Sequence, residues 1–260
     1  MALGNALWFF GILAEAMVVY LLARRGAWKG IPVFTFYCVW DLLNNSIVFP
    51  VFSRYRGGYL SIYLLITAVD AIFIFAVLTE ISWSVLRPIQ ALISRKVLVS
   101  IGLFFLLITC AAWPFTKIDA TVPMTIRLNL ILHIQQTSSL LRILFLLILA
   151  SSSSLLSLGW RDRELQVATG LGFYSIVSFG AMLAHIHKAN VLQYSNLNEL
   201  VVASYLCSLL YWVYSFAQKE AERREFTPQM QNFLLAVAGV AREQRLALAQ
   251  AAVERSRSKS

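Results

Sequence analysis

The sequence predicts an all-α polytopic membrane protein: a seven-transmembrane-helix bundle followed by a cytoplasmic amphipathic C-terminal helix. Three observations carry this. Of 260 residues, 59% are hydrophobic and 13% charged, with mean hydropathy +0.69. A soluble domain has roughly 45–50% apolar and about 25% charged residues, so this excess cannot be hidden inside 29.3 kDa of chain. The apolar residues also come in long unbroken runs, whereas barrel strands would alternate over about ten positions. In lipid such a run satisfies its own backbone polar groups only as a helix. The composition excludes a soluble enzyme, a disordered tail and a disulfide-stapled scaffold.

A span needs roughly 20 mostly apolar residues, and seven segments qualify. The first, 6–23, has no basic residue before it and ends at Arg24-Arg25, which predicts a spanning helix rather than a cleaved leader. The next are 31–52, 59–86 and 97–115. The fifth, 126–158, is the longest and contains Ser151 to Ser154, small residues that permit close helix approach. The last two are 165–185 and 198–217. Together they form a transmembrane domain, 1–217.

Residues 218–260 form a second region. A charged stretch from Lys219 to Glu225 precedes Thr227-Pro228, an N-cap with proline at the first helical position. Met230, Phe233, Leu234, Val237, Ala241 and Leu248 then share one helical face. Arg242 and Arg245 are the only basic residues between Pro228 and Val253. A membrane-surface helix usually crowds Lys and Arg along its polar face. The stripe is therefore expected to bind protein, either a separate partner or a second copy.

Net charge is +9, and its placement sets orientation. Arg24, Arg25, Lys29, Arg87, Arg95, Lys96, Arg161, Arg163, Lys219, Arg223 and Arg224 flank one side. Only Arg54, Arg56, Lys117, Arg127 and Lys188 flank the other. The positive-inside rule puts the N-terminus outside and the C-terminus in the cytoplasm of an inner (cell) membrane. No basic stripe with interleaved aromatics suggests nucleic acid. Trp8, Trp28, Trp83, Trp113 and Trp160 lie near span ends, as an interfacial belt requires.

Ionisable groups inside spans are costly and need a reason. Glu15, Asp41 and Asp70 each lie about ten residues into their spans, near the midplane at about 1.5 Å per residue. Asp41, Asn44 and Asn45 follow i, i+3, i+4 spacing and make one polar face. Gln135 precedes Arg142, the one strongly basic residue deep in any span. Three acids against one base cannot all hold charge cheaply there. The cluster is either interhelical polar glue or a cavity for a small ligand, a proton or a cation. Glu80 lies nearer the cytoplasmic end, within expected reach of Arg87.

No cofactor is expected. Cys38, Cys110 and Cys207 share no close spacing and read as small buried residues. His133 and His185 fall in the same membrane half, which permits bis-histidine haem only on general ligation rules. His185-x-His187 is not the i, i+4 pair of a helical zinc site. A retinal protein would carry a lysine in the middle of span seven, where this chain has none. Nucleophile-elbow, P-loop and dinucleotide motifs are absent. The reading is non-enzymatic.

The seven spans, Trp40-Asp41, Arg161-Asp162-Arg163-Glu164, and Phe226-Thr227-Pro228-Gln229-Met230 with Arg242 and Arg245 resemble bacterial seven-helix membrane modules of the sensor type. That resemblance implies a receptor-like module that signals through its cytoplasmic helix. The pattern departs in having no attached kinase domain, so output is expected through a separate partner. Two other functions fit the same residues: an accessory subunit of a membrane complex, and a proton- or cation-coupled transporter using Glu15, Asp41 and Asp70. The transporter lacks the repeated halves of known designs.

Overall fold

The computed structural model describes residues 2–48, 59–86, 96–116, 125–152, 162–188 and 191–218. The apolar stripe from Met230 to Leu248, Arg87, and the side chains of His185 and His187 lie outside the described residues. Within them there are seven α-helices and no strand: α1 Ala2–Arg24, α2 Pro32–Leu43, α3 Tyr59–Val85, α4 Lys96–Ala112, α5 Ile126–Ser152, α6 Arg163–Lys188 and α7 Val191–Ala217.

Five helices, α1, α3, α5, α6 and α7, are long and apolar enough to cross a membrane. The other two are shorter. α4 has 17 residues and tightens into a 3-10 turn, Trp113–Thr116. α2 has 12 residues and widens into a π-helical turn, Asn44–Val48. At 1.5 Å per residue α2 covers about 18 Å of a hydrocarbon core about 30 Å thick. The widening begins where the polar residues Asn44 and Asn45 interrupt the apolar run.

Cross-helix contacts fix the directions. Arg25 donates to the Ala217 carbonyl at 2.5 Å, so α1 and α7 finish together. Ser84 near the end of α3 bonds Glu164 at the start of α6 at 2.6 Å. Gln135 of α5 bonds Tyr63 of α3, both early in their helices. Trp212 bonds the Gln166 carbonyl, which makes α6 and α7 antiparallel. Odd-numbered helices therefore run one way and α2, α4 and α6 the other. Neighbours pack in the order α1, α2, α3, α5, α6, α7 and back to α1, with α4 applied outside against α3 and α5.

Polarity is inverted relative to a soluble protein. Phe10, Leu65, Ile72, Val99 and Leu107 face outward, whereas Glu15, Gln136, Arg142 and Ser208 are buried. Such an apolar exterior has no place in water, and it fits a lipid-facing surface.

The two ends of the ring differ. Where the odd helices finish, the interior is closely packed: Val18, Leu22, Val77, Leu78, Ile81 and Leu165 are fully enclosed. Phe34 sits edge-on to Trp212 and Phe216, at centroid distances of 5.1 and 6.1 Å. α6 approaches its neighbours through two glycines. A β-carbon at Gly170 would overlap the Trp212 indole, and one at Gly172 the Leu146 side chain.

This end also carries a cap that the sequence hides. α2 starts after Ile31, which has no side chain able to cap it, and Pro32 occupies the first helical position. The next two amides, of Val33 and Phe34, donate to Glu80 Oε1 and Oε2 at 2.7 and 2.8 Å. Glu80 of α3 thus caps α2 with both oxygens. The expected partnership with Arg87 lies outside the described residues.

Candidate functional site: a polar cavity inside the helix ring

Where the odd helices begin, the ring is hollow. A cavity of about 550 Å³ lies between α1, α2, α3, α5, α6 and α7. Its mouth includes the exposed residues Asn198 and Glu199 of α7. Its apolar wall includes Leu7, Ile12, Ile66, Val202 and Leu206. Ligand pockets commonly measure about 300–1,000 Å³ and combine an apolar wall with a few placed polar groups.

Glu15, Asp41, Asn44, Asn45, Asp70, Gln135 and Arg142, grouped in the sequence by depth and helical spacing, all border this one space. Glu15 enters from α1, Asp41 from α2, and the two asparagines from the π turn. Such wide turns occur frequently at functional sites. Asp70 comes from α3, Gln135 and Arg142 from α5.

Two of the residues that join the polar atoms, Tyr205 and Tyr63, were not singled out by the sequence. Tyr205 of α7 places its phenol oxygen 2.7 Å from Glu15 Oε1 and 2.5 Å from Asp41 Oδ2. Asn45 Nδ2 donates to the same Glu15 oxygen at 2.7 Å. Trp40 Nε1 donates to Asp70 Oδ1 at 2.7 Å, and Gln135 Nε2 to the Tyr63 hydroxyl at 3.0 Å. Nothing in the spacing of Tyr205 or Tyr63 marks them out from the other tyrosines. Their roles follow from which helix they face.

Arg142 differs from expectation. Its Nε and Nη2 donate to the Ser138 carbonyl and the Ser139 hydroxyl, both at 3.3 Å and both on its own helix. Its guanidinium lies 5.3 Å from the Tyr174 ring centre, and Tyr174 stands edge-on to Tyr205 at 5.4 Å. Among the described residues no carboxylate reaches ion-pair distance of it. The acids and the base share a cavity without closing on one another.

Two residues that border the cavity hold enclosed polar atoms without a hydrogen-bond partner: Glu15 Oε2, Asn44 Oδ1 and Asn44 Nδ2. Glu15 is 3% exposed and Asn44 8%. A buried polar atom left unpaired costs about 1–3 kcal/mol.

His133 lies apart from the cavity. Its Nε2 is 2.8 Å from the Trp113 carbonyl, and its ring lies 4.0 Å from the Trp113 ring. Cys38 is buried, whereas Cys110 and Cys207 are exposed, against expectation, on the apolar exterior; all three are free thiols. Among the described residues no three His, Cys, Asp or Glu side chains converge as metal ligands would.

No protein-family model matches the chain. No curated protein and no solved structure shows significant similarity to it.

Proposed function

We propose that this protein is a receptor-like integral membrane module that binds a small ligand inside its helix ring and passes the bound state to a separate cytoplasmic partner. One observation carries the reading. Glu15 and Asn44, which border a cavity of ligand size, keep enclosed polar atoms without a partner. Interhelical glue gains its energy by pairing such atoms with one another. Here Arg142 and the acids stay apart, and the space between them is large enough for a molecule. On this reading all seven helices cross the membrane, with α2 and α4 as the short members. The positive-inside count then makes the cavity mouth external, and the output lies in the cytoplasmic stripe from Met230 to Leu248.

A second reading draws on the Glu15–Tyr205–Asp41 bridge, which has the form of a proton relay in a coupled transporter. Acidification of the lumen by the protein in proteoliposomes would favour it.

The test of the receptor reading is chemical access. In a variant with Cys38, Cys110 and Cys207 replaced by alanine, Ser138→Cys puts a thiol on the cavity wall. A small membrane-impermeant thiol reagent is expected to label it from the N-terminal side in sealed vesicles. Gly11→Phe should block the labelling, because Gly11 borders the cavity and its β-carbon would meet open space. An inert Ser138→Cys, with a labelled thiol at exposed Asn198 as control, would mean a closed polar core and would defeat the receptor reading.

A further inference from the structure

The charge and free atoms of the cavity point to the class of its ligand. The inference rests on the ligand-binding reading above and narrows it.

The bridging phenol has one proton. Tyr205 can donate to Glu15 or to Asp41 but not to both, yet it stands at hydrogen-bond distance from each. The second contact needs a proton on that carboxyl, donated to the phenol oxygen. Glu15, Tyr205 and Asp41 together therefore hold at least two protons, and with two they carry one negative charge. Asp70 accepts from the Trp40 indole, a bond that favours its charged form, and we count it as a second negative charge. Arg142 returns one positive. The wall is left with one net negative charge in its enclosed part, and Glu199 adds another at the exposed mouth.

The unpaired atoms agree with that sign. Two of the three, Glu15 Oε2 and Asn44 Oδ1, are acceptors. An ammonium offers three donors and no acceptor. The aromatic side chains Trp8, Tyr37 and Tyr174 also border the space, and ring faces attract cations. A bare metal ion fits poorly, because no three ligating side chains converge among the described residues and most of a 550 Å³ apolar-walled space would stay unfilled. An anion would add to an existing negative excess.

We propose that the cavity binds a small organic monocation: an ammonium on a compact apolar body, with the ammonium at Glu15 and Asn44 and the body against Ile12, Ile66 and Leu206.

Four probes share a phenylalkyl body and differ in charge: 2-phenylethylammonium, 2-phenylethanol, 3-phenylpropionate and zwitterionic phenylalanine. Binding is measured by calorimetry on the full-length protein in lipid nanodiscs at neutral pH, with empty nanodiscs subtracted. The ammonium is expected to bind at least tenfold more tightly than the other three. Glu15→Gln should weaken it at least tenfold. Gly11→Phe, which keeps every polar group and sets a ring in the space beside Glu15, should weaken it at least tenfold and serves if Glu15→Gln does not fold. Equal or tighter binding of the alcohol, the anion or the zwitterion overturns the monocation class, as does binding of none of the four. Neither result touches the receptor reading if Ser138→Cys is still labelled. An inert Ser138→Cys removes the receptor reading itself. Ammonium binding unchanged by Gly11→Phe places the cation elsewhere and also overturns the proposal.

Discussion

The Glu80 cap gives the sharpest test of the packed end of the ring. α2 begins with Ile31 and Pro32, so its own sequence supplies no capping oxygen and its first helical residue has no amide proton. The orphan amides of Val33 and Phe34 both bond one carboxylate from α3, at 2.7 and 2.8 Å. A hydrogen bond to a charged group contributes about 1.5–3 kcal/mol, and an N-cap residue about 0.5–2 kcal/mol. Glu80 is half-buried, so water can compensate part of the loss. Glu80→Ala should therefore destabilise the protein by about 2–4 kcal/mol. Glu80→Gln keeps one carbonyl acceptor but turns an amide NH₂ toward the second N–H, and about half the effect, 1–2 kcal/mol, is expected. Glu199→Gln, an exposed acid, should stay within about 0.5 kcal/mol of wild type. Reversible unfolding of the full-length protein in mixed micelles measures the global effect. Hydrogen exchange at Val33 and Phe34 reads the local one, and a loss of about 2 kcal/mol corresponds to exchange faster by about 30-fold. Wild-type unfolding and unchanged exchange in Glu80→Ala would refute the cap. Equal large losses in Ala and Gln would show that Glu80 acts through its charge alone.

Two further predictions concern the close approach of α6 and the output. Gly170→Ala drives a β-carbon into the Trp212 indole, and overpacking a filled core costs about 1–3 kcal/mol; a Tm equal to wild type would mean that α6 and α7 stand further apart. Deleting 226–260 should leave the ring folded and inserted while removing a co-purifying partner; an identical partner set would refute the output role of the stripe, and loss of the ring would make the tail a brace.

The sequence by itself determined what is local or compositional. Apolar run length is enough to locate helices, because lipid leaves the backbone no other partner. The observed bounds follow those runs: α3 is Tyr59–Val85 against the expected 59–86, and α1 Ala2–Arg24 against 6–23. Start points were less legible for α7, which begins at Val191 rather than 198, because Gln193, Ser195 and Asn196 dilute the apolar signal without stopping a helix. Depth could likewise be counted along each span, so Glu15, Asp41, Asp70 and Arg142 were placed at one level before any contact was known. Depth does not say which way a side chain points around its helix axis. Only the tertiary structure decided that Arg142 turns to Tyr174 instead of to an acid, that Tyr205 bridges Glu15 and Asp41, and that Glu80 caps a helix 46 residues earlier in the chain. It also decided that these residues surround a space. A cavity is the volume that six helices fail to fill when Gly170 and Gly172 draw the other end tight. That depends on how the helices pack against one another, and no single segment of sequence contains it.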